Sequence, residues 1–134
     1  MTAGRPRFRA LFAEAGWRED MRRYRLSPGV QRIAAGARRE AEDRGIEPSR
    51  LRACRREGPD GTRLPNCVKL YLPPEAAEPR FRMVFAAAVS ADAPGGIVLA
   101  YLAFGVSHHP PEANAPTVYE LAELRLREPP DASR

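Results

Sequence analysis

NCVKLYLP (66–73), FRMVFAAAV (81–89) and IVLAYLAFGV (97–106) decide the fold of this chain. In the first stretch Val68, Leu70 and Leu72 alternate with Cys67, Lys69 and Tyr71. That period of two puts the first set on a core face and the second on its reverse. In the second stretch Phe81, Met83, Phe85, Ala87 and Val89 share one face, and Arg82 sits opposite with Val84, Ala86 and Ala88. The third is apolar throughout, as expected of a central strand covered on both sides. Pro73 and Pro74 end the first strand, PPEAAEP makes a stiff link to the second, and SADAPGG is a hairpin-type loop. Connections this short favour antiparallel neighbours.

Downstream, SHHPPEANAP (107–116) holds both histidines, His108 and His109, and its three prolines keep it out of regular structure. Thr117 and Glu120 then form a T-x-x-E capping box. Val118, Leu121 and Leu124 give the helix that follows a buried stripe. Upstream, residues 46–66 read as a connector with five arginines and a GPDG turn. Before it stands the clearest helix. Ser27 is a good N-cap, Pro28 suits the first helical position, and Gly45 sits just past the end. Its apolar face, Val30, Ile33, Ala34, Ala37 and Ala41, is rich in small residues and can lie close against a sheet. Nearer the start, Phe8, Leu11, Phe12 and Ala15 fall at helical spacing, which predicts a short amphipathic helix stopped by Gly16. MRRYRL (21–26) alternates weakly and fits either a strand or a helical continuation.

At 134 residues the chain reads as one domain. It spans 1–128, with 1–26 as an N-terminal extension or first helix and 129–134 as a disordered tail. A chain of this size removes roughly two-thirds of its surface from water on folding. The net charge of +5 favours an anionic partner. Lys69 is the only lysine, so 21 of the 22 basic residues are arginine, the side chain whose fork matches phosphate. No run approaches ~18 apolar residues, and the N-terminus lacks the apolar core and cleavage site of a signal peptide. A cytoplasmic protein is expected, with no membrane partner and with Cys54 and Cys67 reduced. There is no Gly-rich phosphate loop, no G-x-S-x-G and no H-E-x-x-H, and no recognised ligand spacing, so neither metal nor cofactor is expected.

The chemistry therefore rests on Lys69 and Arg82, one on each of two strands, and Tyr119 at the start of the last helix. Two cations and a phenol on a compact sheet-and-helix unit suit gripping and cutting an RNA backbone. Sheets without such a role also carry charges on their exposed faces. Arg52, Arg55, Arg56 and Arg63 of the connector, with Tyr71 and Arg80, form a candidate RNA-binding rim.

The order of these pieces resembles the RelE/ParE superfamily of bacterial type II toxins, nearest its ribosome-dependent mRNA endonucleases. An amphipathic helix leads through a basic loop ending in L-P-N-C to a lysine-bearing strand, an arginine-bearing strand and an apolar strand ending in Gly105. A loop then leads to V-Y and a helix, and the likeness runs from about Ser27 to Leu126. It implies an α+β fold, a small twisted antiparallel sheet with N-terminal helices on one face and a C-terminal helix. It implies metal-independent cleavage of mRNA in the ribosomal A site, the 2′-hydroxyl attacking the adjacent phosphorus to leave a cyclic phosphate and a free 5′-hydroxyl. It also implies a cognate antitoxin as partner.

By the same resemblance Lys69 would activate the 2′-hydroxyl or steady its charge. Arg82 would neutralise the phosphorane, and Tyr119 would stack on a base or orient the phosphate. The sequence departs from the pattern in two places. Tyr71 stands where the family often has a second basic residue, and Val106 and Ser107 follow Gly105 where another basic residue is common. His108 or His109 could replace the missing group, since imidazole suits protonation of the leaving 5′-oxygen near neutrality. The ParE branch of the scaffold instead poisons DNA gyrase by protein contact. A catalytically inactive basic binding module is the third possibility.

Overall fold

The computed structural model of the chain describes residues 6–23, 27–54, 64, 66–73, 80–106 and 117–127. It is an α+β protein with three α-helices and a five-stranded sheet. In chain order these are β1 (Arg9–Leu11), α1 (Glu14–Arg23), α2 (Pro28–Arg44), β2 (Leu51–Ala53), β3 (Cys67–Leu72), β4 (Phe81–Val89), β5 (Ile97–Val106) and α3 (Val118–Arg127). The strands lie in the order β1-β5-β4-β3-β2. The three strands read from the sequence form its centre, β3 antiparallel to β4 and β4 antiparallel to β5. β1 runs parallel to β5, so the sheet is mixed where a purely antiparallel one was expected.

Two further expectations are corrected. Phe8, Leu11, Phe12 and Ala15 do not share one short helix. Arg9–Leu11 is an edge strand, and the helix starts at Glu14 with Gly16 inside it. The apolar residues that mimic helical spacing serve two elements. Phe12 stacks on Tyr101 and meets Trp17 and Phe85 edge-on, all in the core under the helices. The connector 46–66 is not all loop either, because Leu51–Ala53 pairs antiparallel with β3. Three residues are too few to display a period.

The clearest helix stands as read from the sequence, 28–44, although Ser27 makes no side-chain cap bond. Gly45 ends it at φ +76, and a Cβ there would come within 2.8 Å of the Phe8 carbonyl oxygen. Only glycine fits that approach, which allows Phe8 and Ile46 to exchange backbone hydrogen bonds at 2.8 and 2.9 Å.

Both sheet faces are covered. α1 and α2 pack on the face that carries Leu70, Leu72, Phe81, Met83, Phe85, Leu99, Tyr101 and Phe104. α3 packs on the reverse with Val118, Leu121 and Ala122 against Cys67, Val84 and Ala103. The register explains how β5 serves both. Val84 opposes Ala103 but Phe85 opposes Tyr101, so Leu102 is an extra residue. This bulge resets the alternation, and Tyr101 and Phe104 both point to the α1–α2 side. Leu124 departs from its expected stripe and is 58% exposed. No helix among the described residues is long and apolar enough to cross a membrane.

Candidate functional site

Lys69, Tyr71 and Arg82 share the α3 face of the sheet. In the β3–β4 ladder Tyr71 lies directly opposite Arg82, and Lys69 lies opposite Val84, which packs under α3. The Arg82 guanidinium stands 4.3 Å from the centre of the Tyr71 ring. The Lys69 ammonium stands 5.6 Å from the same ring and 5.3 Å from that of Tyr119. It also donates a hydrogen bond of 3.4 Å to the Tyr119 hydroxyl. Sequence-distant Lys69, Arg82 and Tyr119 are thus gathered on one face of the sheet, with the Tyr71 ring near both cations.

The setting of Lys69 is unusual. It is 9% exposed, and among the described residues no carboxylate forms an ion pair with it. Lysine is almost never this buried unless paired. Burial disfavours its charge. The Tyr119 phenol, through charge and hydrogen bond, and then Tyr71 and Cys54 outweigh that effect and hold the Lys69 pKa above the ordinary lysine value. The group is therefore a fixed cation at neutral pH, suited to stabilising an anion and unsuited to accepting a proton. An ammonium can only donate, so the Tyr119 oxygen is the acceptor and its own O–H remains to donate to another group.

The capping box sets where Tyr119 begins its helix. The Thr117 amide donates to Glu120 Oε1 at 2.9 Å, and the Glu120 amide donates to Thr117 Oγ1 at 3.2 Å. The far end of α3 is held by Arg125. Beyond Ala100, where β1 ends, no strand among the described residues lies beside that edge of β5. Asp20 of α1, with no exposed surface, accepts from the Phe104 amide at 3.1 Å and from the Tyr101 hydroxyl. Arg125 donates to the Leu102 carbonyl at 2.7 Å and to both Asp20 oxygens at 2.8 Å. Side chains from two helices thereby satisfy the backbone groups that a longer β1 would have paired. Burial and the Asp20 carboxylate push the Tyr101 hydroxyl far above its usual range. The Arg125 guanidinium lies over Gly16, where a Cβ would meet it at 3.5 Å, an ordinary packing distance. The sequence offers one signal for this network. Asp20 falls at i+3 from Trp17 on the apolar side of α1, where a carboxylate needs a partner.

The other rim candidates are dispersed. Arg52 lies opposite Lys69 in the β2–β3 ladder, but its Nη1 donates to the Ser49 and Leu51 carbonyls at 2.8 and 3.0 Å. Arg80 is exposed, with its guanidinium 5.7 Å from the ring of Phe81, a residue of the opposite face. Arg55, Arg56, Arg63, His108 and His109 lie outside the described residues. Among the described residues no cluster of three or more His, Cys, Asp or Glu could hold a metal. No family model, curated protein or solved structure matches the chain.

Proposed function

We propose that this protein is a toxin of the type II toxin–antitoxin kind that cleaves mRNA on the ribosome. The observation carrying the reading is a buried, charged Lys69 that no carboxylate among the described residues pairs with, on the same face as Arg82 and Tyr119. Burial alone works against such a cation, and one held charged without a carboxylate partner marks a candidate anion site. In this reading a phosphodiester sits between the Lys69 ammonium and the Arg82 guanidinium. Both cations act on the negative charge that develops when the 2′-hydroxyl attacks phosphorus. Lys69 serves as electrostatic stabiliser and not as general base, because its proton is held too firmly. Tyr119 orients the phosphate through its free O–H. Arg82 is oriented by stacking on Tyr71, which gives a role to an aromatic residue where the resembling family often carries a cation.

Inducible expression in bacterial cells tests this. Growth arrest is expected, with new 5′-hydroxyl ends inside translated messages, both lost in Lys69→Ala and in Arg82→Ala. Arrest that persists in both variants overturns the reading. One observation favours a second function, a gyrase-directed toxin acting by protein contact. Leu124 of α3 is 58% exposed, an apolar side chain presented to solvent on the last described helix. Arrest abolished by Leu124→Glu and untouched by Lys69→Ala would establish that alternative.

A further inference from the structure

Cys54 and Cys67 are both free thiols, and the strand pairing brings them together. The β2–β3 register runs Leu51↔Leu70, Arg52↔Lys69 and Ala53↔Val68. One step further along the same ladder sets Cys54 opposite Cys67. The Cys54 amide confirms that step by donating to the Cys67 carbonyl at 3.1 Å. Residues facing each other at such a hydrogen-bonded site have Cα atoms about 5.5 Å apart, inside the ~4.4–6.8 Å range that a disulfide spans. Directly opposed residues also point to the same side of the sheet, and both cysteines pack in the cluster under α3. The thiols are close enough for the charge of one to act on the other. Facing Cβ atoms in a sheet lie ~4.5–5.5 Å apart, whereas a disulfide needs ~3.5–4.5 Å. The strands must therefore close by a fraction of an ångström to about one. β2 can supply that movement, because it is a three-residue strand at the edge of the sheet, paired among the described residues with β3 alone.

We propose that Cys54 and Cys67 are a thiol–disulfide exchange site, oxidised by small-molecule disulfides to an intramolecular bridge that staples β2 to β3. Cys54 is the entry point, because Cys67 is buried and Cys54 is part-exposed. The Cys54 thiolate attacks one sulfur of the small disulfide and expels the first thiolate. The Cys67 thiolate then attacks the Cys54 sulfur of the mixed disulfide and expels the second. Protein dithiol and small disulfide become protein disulfide and two small thiols, and each departing thiolate takes up a proton lost by a cysteine. The protein gives up two electrons. The bridge joins the two ends of the segment 55–66, whose sequence carries Arg55, Arg56 and Arg63, two ladder positions from the Arg52–Lys69 pair. The chemistry concerns two sulfurs alone and stands whether or not the protein cuts RNA.

Burial sets the rate. It raises the Cys54 thiol to about 12, with Cys67 adding to the shift, and the Cys67 thiol to about 11. Thiolate is therefore scarce at neutral pH, and exchange is slow but accelerates nearly tenfold per pH unit.

The test uses the full chain in mixtures of oxidised and reduced glutathione, followed by intact-mass spectrometry and peptide mapping. The expected product has lost two hydrogens, contains a Cys54–Cys67 linked peptide, forms faster as pH rises, and reverts in reduced glutathione. Cys67→Ser is expected to stop at a glutathione adduct on Cys54, and Cys54→Ala to leave Cys67 unmodified. A wild-type protein that accumulates a stable glutathione adduct without the bridge overturns the proposal. So does a bridge that forms only when the chain is unfolded in urea. Neither result depends on ribonuclease activity.

Discussion

The Lys69 ammonium donates to the Tyr119 hydroxyl across 3.4 Å, joining a strand residue to a helix residue fifty positions away in the chain. Strand alternation fixes which side of the sheet carries the charge, and this contact makes Tyr119 an acceptor with a proton to spare.

Tyr119→Phe separates the ring from the hydroxyl. The ring keeps its place in the cluster with Cys54, Ala86 and Leu102, so stability should fall by only about 0.5–1.5 kcal/mol. Cleavage should fall by tenfold or more, as expected for losing a hydrogen bond to a charged group worth ~1.5–3 kcal/mol. RNA affinity, measured by fluorescence anisotropy, should change much less. An equal loss of both would make the hydroxyl a binding group only.

The raised Lys69 pKa carries a prediction about pH. A lysine whose pKa is higher in the folded state contributes stability that is fully present below its ordinary value of ~10.4. That contribution is lost as pH rises through the folded value. Between about pH 7 and pH 9 neither unfolding free energy nor RNA affinity should respond to Lys69. An affinity that drops in that interval for wild type and not for Lys69→Arg would show that the ammonium is losing its proton there.

The clasp between α1 and α3 should be the most sensitive polar element of the fold. Removing one partner of a buried ion pair costs ~3–5 kcal/mol, because the other charge is left without compensation. Asp20→Ala should lose that amount in urea denaturation, since the Tyr101 hydroxyl and the Phe104 amide lose their acceptor and Arg125 keeps only Glu19 and the Leu102 carbonyl. Glu14→Ala removes solvent-screened contacts to Arg18 and Arg38 and should cost far less than Asp20→Ala. Comparable losses in the two variants would refute the assignment of the clasp.

The central hairpin and its neighbour were legible because each strand is long enough to show its period. Val68, Leu70 and Leu72 fell on the face predicted for them, and Arg82 fell opposite Phe81 and Met83. Thr117 and Glu120 formed their box because a capping motif is local. The short edge strands were illegible. β1 and β2 are held by partners far along the chain, β5 and β3, and neither has a pattern of its own. The bulge at Leu102 was equally hidden, since an unbroken apolar run looks the same in either register. At the site, the side of the sheet followed from parity, whereas the burial of Lys69 and the Arg125–Asp20 clasp depend on where α3 lies. The exposed Leu124 marks the same gap, because helical spacing identifies a stripe without saying how far the sheet beneath it extends.

Lys69→Met tests the central claim most directly, with RNA affinity and unfolding free energy measured side by side. Lys69→Met keeps most of the side-chain volume and loses the charge and the Tyr119 hydrogen bond. The expected result is a small loss of stability, on the order of 1 kcal/mol, together with loss of RNA binding and cleavage. Substantial destabilisation with RNA affinity intact would contradict the account, for the lysine would then be holding the protein together and leaving its anion unbound.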